Sequence, residues 1–258
     1  MGDEENVGLP ASIEQAWGVR ERPRKGPKRG LSQERIITAA IKVAERDGLA
    51  AVSMSRVAAE LGASAMSLYR YFAAKDELLV LMADTAYGTP PAVWGGDGGW
   101  RAGMSRWAWA MLQGMRRHPW VLRIPIGGPP TTPNVVLWLE HGLQCLQDTG
   151  LTEAEKMSVI LLISGYVRNN ATTMADIATA SRAASESEQE IMPAYGRILT
   201  SLTDPYRFPA LTAVIASGVF NADDDPDDEF TFGLERILDG VEVLVRARTG
   251  AAAAETTS

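Results

Sequence analysis

Apolar residues recur at three- and four-residue spacing along most of the chain, a pattern that predicts α-helices. The first clear stripe begins after Ser32, a favourable N-cap residue, and stops at Gly48, which favours a helix end. Its apolar positions are Ile36, Ile37, Ala40, Val43 and Ala44. They predict an amphipathic helix with one buried side.

Two short helices follow and are separated by a glycine turn. Ser53 can cap the first, which ends at Gly62, and Ser64 can cap the second. The apolar positions on their inner side are Val57, Ala58, Leu61, Leu68, Tyr71 and Phe72, whereas Tyr69 and Arg70 point elsewhere. Two short helices braced by a longer one are typical of a helix-turn-helix unit, whose second short helix enters the DNA major groove.

Beyond Gly88 the stretch TPPAVWGGDGG is a loop signal, and helical periodicity returns from Trp100. Trp107, Met111 and Met115 then recur every four residues. Such a stripe is either ordinary core or the wall of an apolar ligand pocket. The pattern leaves both interpretations open.

Three more helices are predicted in the second half of the chain, over residues 134–148, 152–180 and 228–248. Thr152 and Glu155 form the sequence pattern of a capping box at the start of the long one. The last helix is apolar over too wide an arc for a helix that lies half in water, so it requires a partner.

Charge is distributed very unevenly along the chain, whose net charge is -7. Residues 20–75 contain twelve Lys and Arg against five Asp and Glu, whereas residues 76–258 contain 13 against 23. A basic contact module on an acidic body is the expected arrangement. The stretch RERPRKGPKRG, residues 20–30, is either a solvated linker or an arm that lies on DNA phosphates or in a minor groove.

Composition excludes several classes of protein. Cys145 is the single cysteine and there are two histidines, which argues against disulfides and metal clusters. The sequence lacks a G-x-S-x-G elbow, a Walker lysine and a G-x-G-x-x-G loop, so we expect neither an enzyme nor a bound cofactor. The acidic N-terminus lacks secretory features and no apolar run reaches membrane-spanning length, so a cytoplasmic protein without membrane contact is expected.

The helices carry the motifs of a known family. A helix ending in D-G-L, a serine-capped helix with V-A-A-E-L-G, and S-L-Y-R-Y-F followed by K-D-E-L-L occur at the family's spacing. Residues 31–83 therefore resemble the DNA-binding domain of the TetR family of bacterial transcription regulators. The segments RRHPWVLRIPIGGPP, VLWLEHGLQCL, GLTEAEK and LLISGYVRNNA are similar to the ligand-binding core of its tetracycline-repressor-like branch.

This resemblance implies an all-α homodimer that binds a palindromic operator in double-stranded DNA, usually as a repressor. A small-molecule effector that enters the larger domain releases the DNA. The implied parts are a flexible basic arm at 1–30, a three-helix helix-turn-helix domain at 31–87, a helical effector-binding and dimerisation domain at 88–248 and a disordered tail at 249–258. The helices near 152–180 and 228–248 would pair with their copies in the dimer.

The family pattern also suggests which residues contact DNA. It places Ala65, Met66 and Ser67 against base edges, and Tyr69 and Lys75 against phosphates. The full set of candidates is Ser53, Ser55, Arg56, Ser64, Ala65, Met66, Ser67, Tyr69, Arg70 and Lys75. The side chains of Ala65 and Met66 cannot donate hydrogen bonds, so specificity would depend on Ser67, Arg70 or the arm; Arg70 would bind either a guanine or a phosphate.

The candidate effector-pocket residues combine the apolar stripe with polar groups of the long helix. They are Trp107, Met111, Met115, Trp138, Tyr166, Asn169, Asn170 and Thr173. Their composition favours a largely apolar or aromatic effector. Asn169, Asn170 and Thr173 are either effector contacts or surface positions.

One feature departs from the family. The branch's founding member binds its metal-associated ligand with a histidine at a position that aligns with Pro125, so no tetracycline-magnesium site is expected. Two histidines and one cysteine are too few for another metal site. Ala65 and Met66 also support an alternative function, a helical ligand-binding or interaction module with weak or lost operator reading.

Overall fold

The computed structural model of the chain describes residues 9–19, 31–91, 98–184, 188–221, 225 and 227–255. Over these residues the protein is all-α, as predicted. Its helices are α1 (Ala11–Ala16), α2 (Gln33–Asp47), α3 (Met54–Glu60), α4 (Ala65–Leu68), α5 (Lys75–Tyr87), α6 (Gly99–Arg117), α7 (Pro133–Cys145), α8 (Glu153–Ala184), α9 (Glu188–Leu202), α10 (Pro209–Ala216) and α11 (Asp228–Glu255). None of the described helices is long and apolar enough to cross a membrane.

Helices α2 to α5 pack around one apolar cluster and form a small domain, which we call the head. Two of its helices start at serine caps that the sequence predicts. Ser32 Oγ accepts a hydrogen bond from the Arg35 amide at 3.2 Å, and Ser53 Oγ accepts one from the Arg56 amide at 3.2 Å. The fully buried side chains of this cluster include Ile36, Val43, Val57, Leu68, Phe72, Leu78 and Met82.

The predicted cap at Ser64 is wrong. The Ser64 hydroxyl makes no hydrogen bond to a helix amide, and its carbonyl instead accepts from Ser67 Oγ at 2.5 Å. α4 is a single turn, and the chain then leaves the helix while Leu68 and Phe72 remain buried. The Tyr71 hydroxyl donates to the Leu31 carbonyl at 2.7 Å, which ties this segment to the start of α2.

Helices α6, α7, α8 and α11 enclose a second apolar cluster and form the larger domain, which we call the body. Trp107 is fully buried at its centre. Arg101, near the start of α6, pairs with Asp239 at 2.7 Å and with Glu242 at 3.2 Å, and it also pairs with Glu235. One guanidinium thereby fixes α6 to three acidic residues of α11.

The long helix α8 begins with the predicted capping box. The Thr152 amide donates to Glu155 Oε2 at 2.9 Å, and the Glu155 amide donates to Thr152 Oγ1 at 3.3 Å. Glu155 also pairs with Arg248 of α11, and the hydrogen bond from Arg248 lowers the pKa of Glu155 to about 2. Because this pKa is depressed, the pair stabilises the α8–α11 contact above the carboxyl's ordinary pKa, and this contribution disappears as the pH falls toward 2.

Three parts of the chain differ from the sequence prediction. α11 continues to Glu255, so much of the expected disordered tail at 249–258 is helical, in keeping with the high helix propensity of alanine. The segment 188–216, for which the pattern made no prediction, forms α9 and α10. Part of the expected flexible arm, residues 11–16, forms α1, whereas the basic stretch 20–30 lies outside the described residues.

Head and body share an apolar junction. The 3₁₀ turn Pro119–Arg123, which follows α6, places Trp120 and Val121 in the head cluster, together with Ile124. Arg168 of α8 supports this turn by donating to the Leu122 carbonyl at 3.1 Å and to the Ile124 carbonyl at 3.3 Å. A movement of the body therefore displaces side chains in the core of the head.

Gly142 of α7 provides a test of the body's packing. A Cβ at this position would lie 2.5 Å from Ile160 Cδ1 and 3.1 Å from Trp107 Cε2. We expect Gly142→Ala to lower the free energy of unfolding by ~1–3 kcal/mol, the usual cost of overpacking. Urea denaturation at a fixed protein concentration measures it.

Gly114→Ala is the matched control, because Gly114 is also buried in a helix but a Cβ there would meet no neighbouring heavy atom within 4 Å. This variant should be neutral or gain up to ~1 kcal/mol from the helix propensity of alanine. Equal stability changes in the two variants would contradict the packing described for Trp107.

Candidate nucleic-acid interface

Exposed apolar, aromatic and basic side chains gather around α4 and the first turn of α5. Met66 is 74% exposed and Tyr69 is 47% exposed, and the side chains of Arg70 and Lys75 are also exposed. Arg70 and Lys75 form no ion pair or hydrogen bond with any residue in the described ranges. Their positive charges are therefore available to an anion, and Lys75 lies in the first turn of a helix, where amide groups favour phosphate.

Helix α4, the first element of this surface, offers few hydrogen-bond donors to DNA bases. Ser67 is half-buried and its hydroxyl donates to the Ser64 carbonyl, so its proton is already used. Ala65 packs partly against the head cluster. Among the candidates for base reading, Arg70 has the free donors that recognise a guanine.

The start of α3 presents a second group of candidates, Ser53, Ser55 and Arg56, all exposed. The Arg56 guanidinium lies 3.0 Å from Asp47 Oδ2, and Arg46 binds the same carboxylate. The hydrogen bond from Arg46 is the main cause that lowers the pKa of Asp47. A phosphate contact by Arg56 would therefore require exchange of an existing carboxylate partner.

Four of the predicted pocket residues meet in the core of the body. The Trp107 indole N–H donates to the Trp138 carbonyl at 2.9 Å, and the two rings pack edge to face with centroids 6.5 Å apart. The Trp138 indole N–H donates to the Gly88 carbonyl at 2.9 Å, at the end of α5. Met111 and Met115 belong to the same buried cluster. These residues thus form a hydrogen-bonded connection from the core of the body to the last helix of the head.

The other four predicted pocket residues lie within about two turns of α8 but have different surroundings. The Tyr166 hydroxyl donates to carbonyls of α11, and its ring stacks on Phe230 with centroids 5.4 Å apart. Asn169 and Thr173 are exposed. Asn170 is half-buried, and its Oδ1 is buried without a hydrogen-bond partner in the described part of the chain. Asn170 is the polar candidate of α8 whose side chain is turned inward.

Asp84 is a residue of this region that the sequence pattern did not indicate. It belongs to α5, is buried, and its Oδ1 accepts from the amides of Asn134 at 2.9 Å and Val135 at 3.1 Å, while Asn134 Nδ2 donates to Oδ2 at 2.9 Å. A head carboxylate therefore caps the N-terminus of α7 in the body. The one sequence signal is an acid directly after the apolar run 78–83.

Comparison with known proteins identifies the family. The sequence matches the family described as "Bacterial regulatory proteins, tetR family" over residues 36–82, and "Tetracyclin repressor-like, C-terminal domain" over residues 94–245. The chain belongs to the TetR family. As a TetR-family protein it is a DNA-binding transcriptional regulator and not an enzyme, and regulators of this family bind operators and small molecules as dimers.

Several TetR-family proteins are similar to this one over most of its length. The HTH-type transcriptional repressor DrrR1 of Streptomyces coeruleorubidus is 39% identical over 247 residues, which are 95% of this chain and 90% of that protein. ActR of Streptomyces coelicolor in complex with actinorhodin has a TM-score of 0.71 at 25% identity, covering 84% of this chain and 99% of that chain. ActR in complex with (S)-DNPA gives 0.70 at 26% identity, with 83% and 98% coverage.

Lys75 and Arg70 should contribute differently to DNA binding by this TetR-family head. Lys75→Ala should weaken binding to every duplex and lower the slope of log affinity against log salt by about one per head, because one phosphate contact is lost. Arg70→Gln should instead change the ranking of sequence variants by roughly 1–3 kcal/mol if it binds a guanine. Fluorescence anisotropy over a salt series measures both.

Arg197→Ala is the control, since Arg197 is an exposed residue of α9 on the body. Its salt slope should equal that of the unmodified protein. An unchanged slope in Lys75→Ala would remove Lys75 from the phosphate contacts, and an equal loss on all sequences in Arg70→Gln would make Arg70 a phosphate contact.

Proposed function

We propose that this protein is a homodimeric repressor that binds a palindromic operator and releases it when a largely apolar or aromatic small molecule binds the body. The observation that carries the proposal is the free, exposed pair Arg70 and Lys75 at the edge of a helix-turn-helix. The 39% identity to the repressor DrrR1 supports the repressor assignment over an activator.

The proposed dimer interface combines α8 and α11. These helices pack on each other through Tyr166 of α8, whose ring stacks on Phe230 and whose hydroxyl donates to the Phe230 carbonyl, yet they leave other large apolar side chains in water. The exposed ones are Met157, Leu161, Leu162, Phe232 and Val243. A face of this kind on two long neighbouring helices matches the four-helix interface expected from the family, which buries it against a second copy.

The proposed effector site is the region of Trp107, Met111, Met115 and Trp138, with Asn170 as a polar contact. The apolar and aromatic side chains of this region favour a ligand of the same character. ActR, solved in complex with actinorhodin and with (S)-DNPA, supports small-molecule binding by a related body. Because Trp138 bonds to the end of α5, a ligand that displaces it would also displace the head.

The interface can be tested with one charged substitution. Leu161 is 74% exposed, and Leu161→Glu should convert the dimer to monomer at micromolar concentration, because it places two carboxylates in a desolvated contact. Sedimentation velocity measures the change. Ile126→Glu is the control, because Ile126 is 75% exposed but lies in the connector before α7. Dimers in both variants would contradict an interface at Leu161.

Operator binding and release can be tested in one experiment. Selection of bound sites from random duplexes should enrich two inverted half-sites about one helical turn apart, as expected for a symmetric dimer. The selected duplex is then challenged with actinorhodin, with (S)-DNPA and with a panel of apolar aromatic compounds. We expect release by at least one of them, and no release by tetracycline with magnesium.

Two results would contradict the proposal. Failure to enrich any sequence would favour the alternative, a helical interaction module without operator reading. Enrichment without release by any compound of the panel would reject the apolar or aromatic effector and leave the operator assignment standing.

A further inference from the structure

The short helix α1 lies between the head and the body and precedes both family matches, which begin at residues 36 and 94. Its Ile13 is 3% exposed and packs into the head cluster, where Trp120 and Val121 of the junction also lie. Two side chains of this helix, Ser12 and Ile13, are therefore buried where the two domains meet.

Two hydrogen bonds attach α1 to the head. Ser12, 1% exposed, donates through its hydroxyl to Glu77 Oε2 at 2.6 Å, and its carbonyl accepts from Gln33 Nε2 at 2.8 Å. The same Glu77 oxygen accepts from the Ala73 amide at 3.2 Å. α1 thus contacts the turn that leads from α4 into α5, next to Lys75.

A third hydrogen bond attaches α1 to the body. The indole N–H of Trp17 donates to the Thr131 carbonyl at 2.7 Å. Thr131 lies two residues before α7, whose first amides are capped by Asp84. α5 is therefore joined to the start of α7 twice, directly at Asp84 and indirectly from Glu77 through α1.

The two attachment points on α5 are separated along the helix. Glu77 and Asp84 are seven residues apart, which corresponds to about 10 Å at 1.5 Å per residue. A helix attached at one point can pivot about it, whereas attachment at two separated points fixes its direction. Without α1, the first turn of α5 would lose its connection to the start of α7, so the direction of α5, and of α4 before it, would be held less firmly.

We propose that α1 is a strut that fixes the angle of α5 relative to the body, and that Trp17 and Ser12 are positioning residues for operator binding. In a dimer the angle of each α5 sets the distance between the two recognition segments. The strut therefore determines which half-site spacing the protein prefers. This inference rests on the proposed dimeric operator binding.

The test compares Trp17→Phe with the unmodified protein on the selected duplex and on versions with one base pair added or removed between the half-sites. The unmodified protein should discriminate strongly among the three spacings. Trp17→Phe removes one indole hydrogen bond per subunit, so we expect about three- to tenfold weaker binding at the preferred spacing and a clearly smaller spacing preference. Binding to a random-sequence duplex should not change, since Arg70 and Lys75 are intact.

Trp100→Phe is the matched control, because Trp100 is partly buried at the start of α6, away from α1. It should keep the spacing preference of the unmodified protein. An equal spacing preference in Trp17→Phe and the unmodified protein would overturn the proposal, because a purely structural role of Trp17 would lower stability without changing that preference.

A second measurement needs no operator. Hydrogen exchange of the DNA-free dimer should be faster in Trp17→Phe at amides of the first turns of α5 and α7, and unchanged elsewhere in the body. Unchanged exchange at these amides would overturn the proposed role of α1. If exchange is faster but the selection yields no operator, the role of α1 stands and the proposed function is wrong.

Discussion

The carboxylate of Asp84 is the interaction on which the rest of the structure depends. It is buried, it belongs to the last helix of the head, and it accepts hydrogen bonds from two backbone amides and a side-chain amide at the start of α7. A buried anion is stable only where such donors and the positive end of a helix replace water. The head has further attachments to the body at Gly88 and at the apolar junction of Trp120, and the Asp84 carboxylate adds a direct link between α5 and the start of α7.

Around this attachment the two domains behave as one packed unit. The 3₁₀ turn after α6 contributes Trp120 and Val121 to the head cluster, and Arg168 of α8 binds the carbonyls of that turn. The helix that supports the turn also provides the proposed dimer face. Packed cores switch between discrete arrangements and do not deform continuously, so ligand binding, head angle and subunit packing should change together.

Local chemistry explains what the sequence could predict. The helix caps at Ser32, at Ser53 and at Thr152 with Glu155 join atoms within three residues of one another. A short sequence pattern was therefore enough to predict them. The Ser64 cap failed because Ser67 competes for the same short turn. Asp84 and Trp17 were missed because their partners lie 50 and 114 residues away, and no periodicity encodes such pairs. The motif predicts which residues form the head surface, but it gives no sign of the ion pair between Arg56 and Asp47.

The indole hydrogen bonds from Trp107 to Trp138 and from Trp138 to Gly88 affect the concentration of effector that the proposed release of DNA requires. At the proposed effector site, a ligand that displaces both Trp107 and Trp138 breaks both bonds, which are worth ~1 kcal/mol each. The receptive conformation is then a minority state, and the apparent dissociation constant rises by the inverse of its population, here more than about tenfold. On this proposal small or weakly matching metabolites would not release the DNA, because only a ligand with enough complementary surface would open the core. In the proposed mechanism the closed tryptophan pair would therefore set a minimum affinity that an effector must exceed.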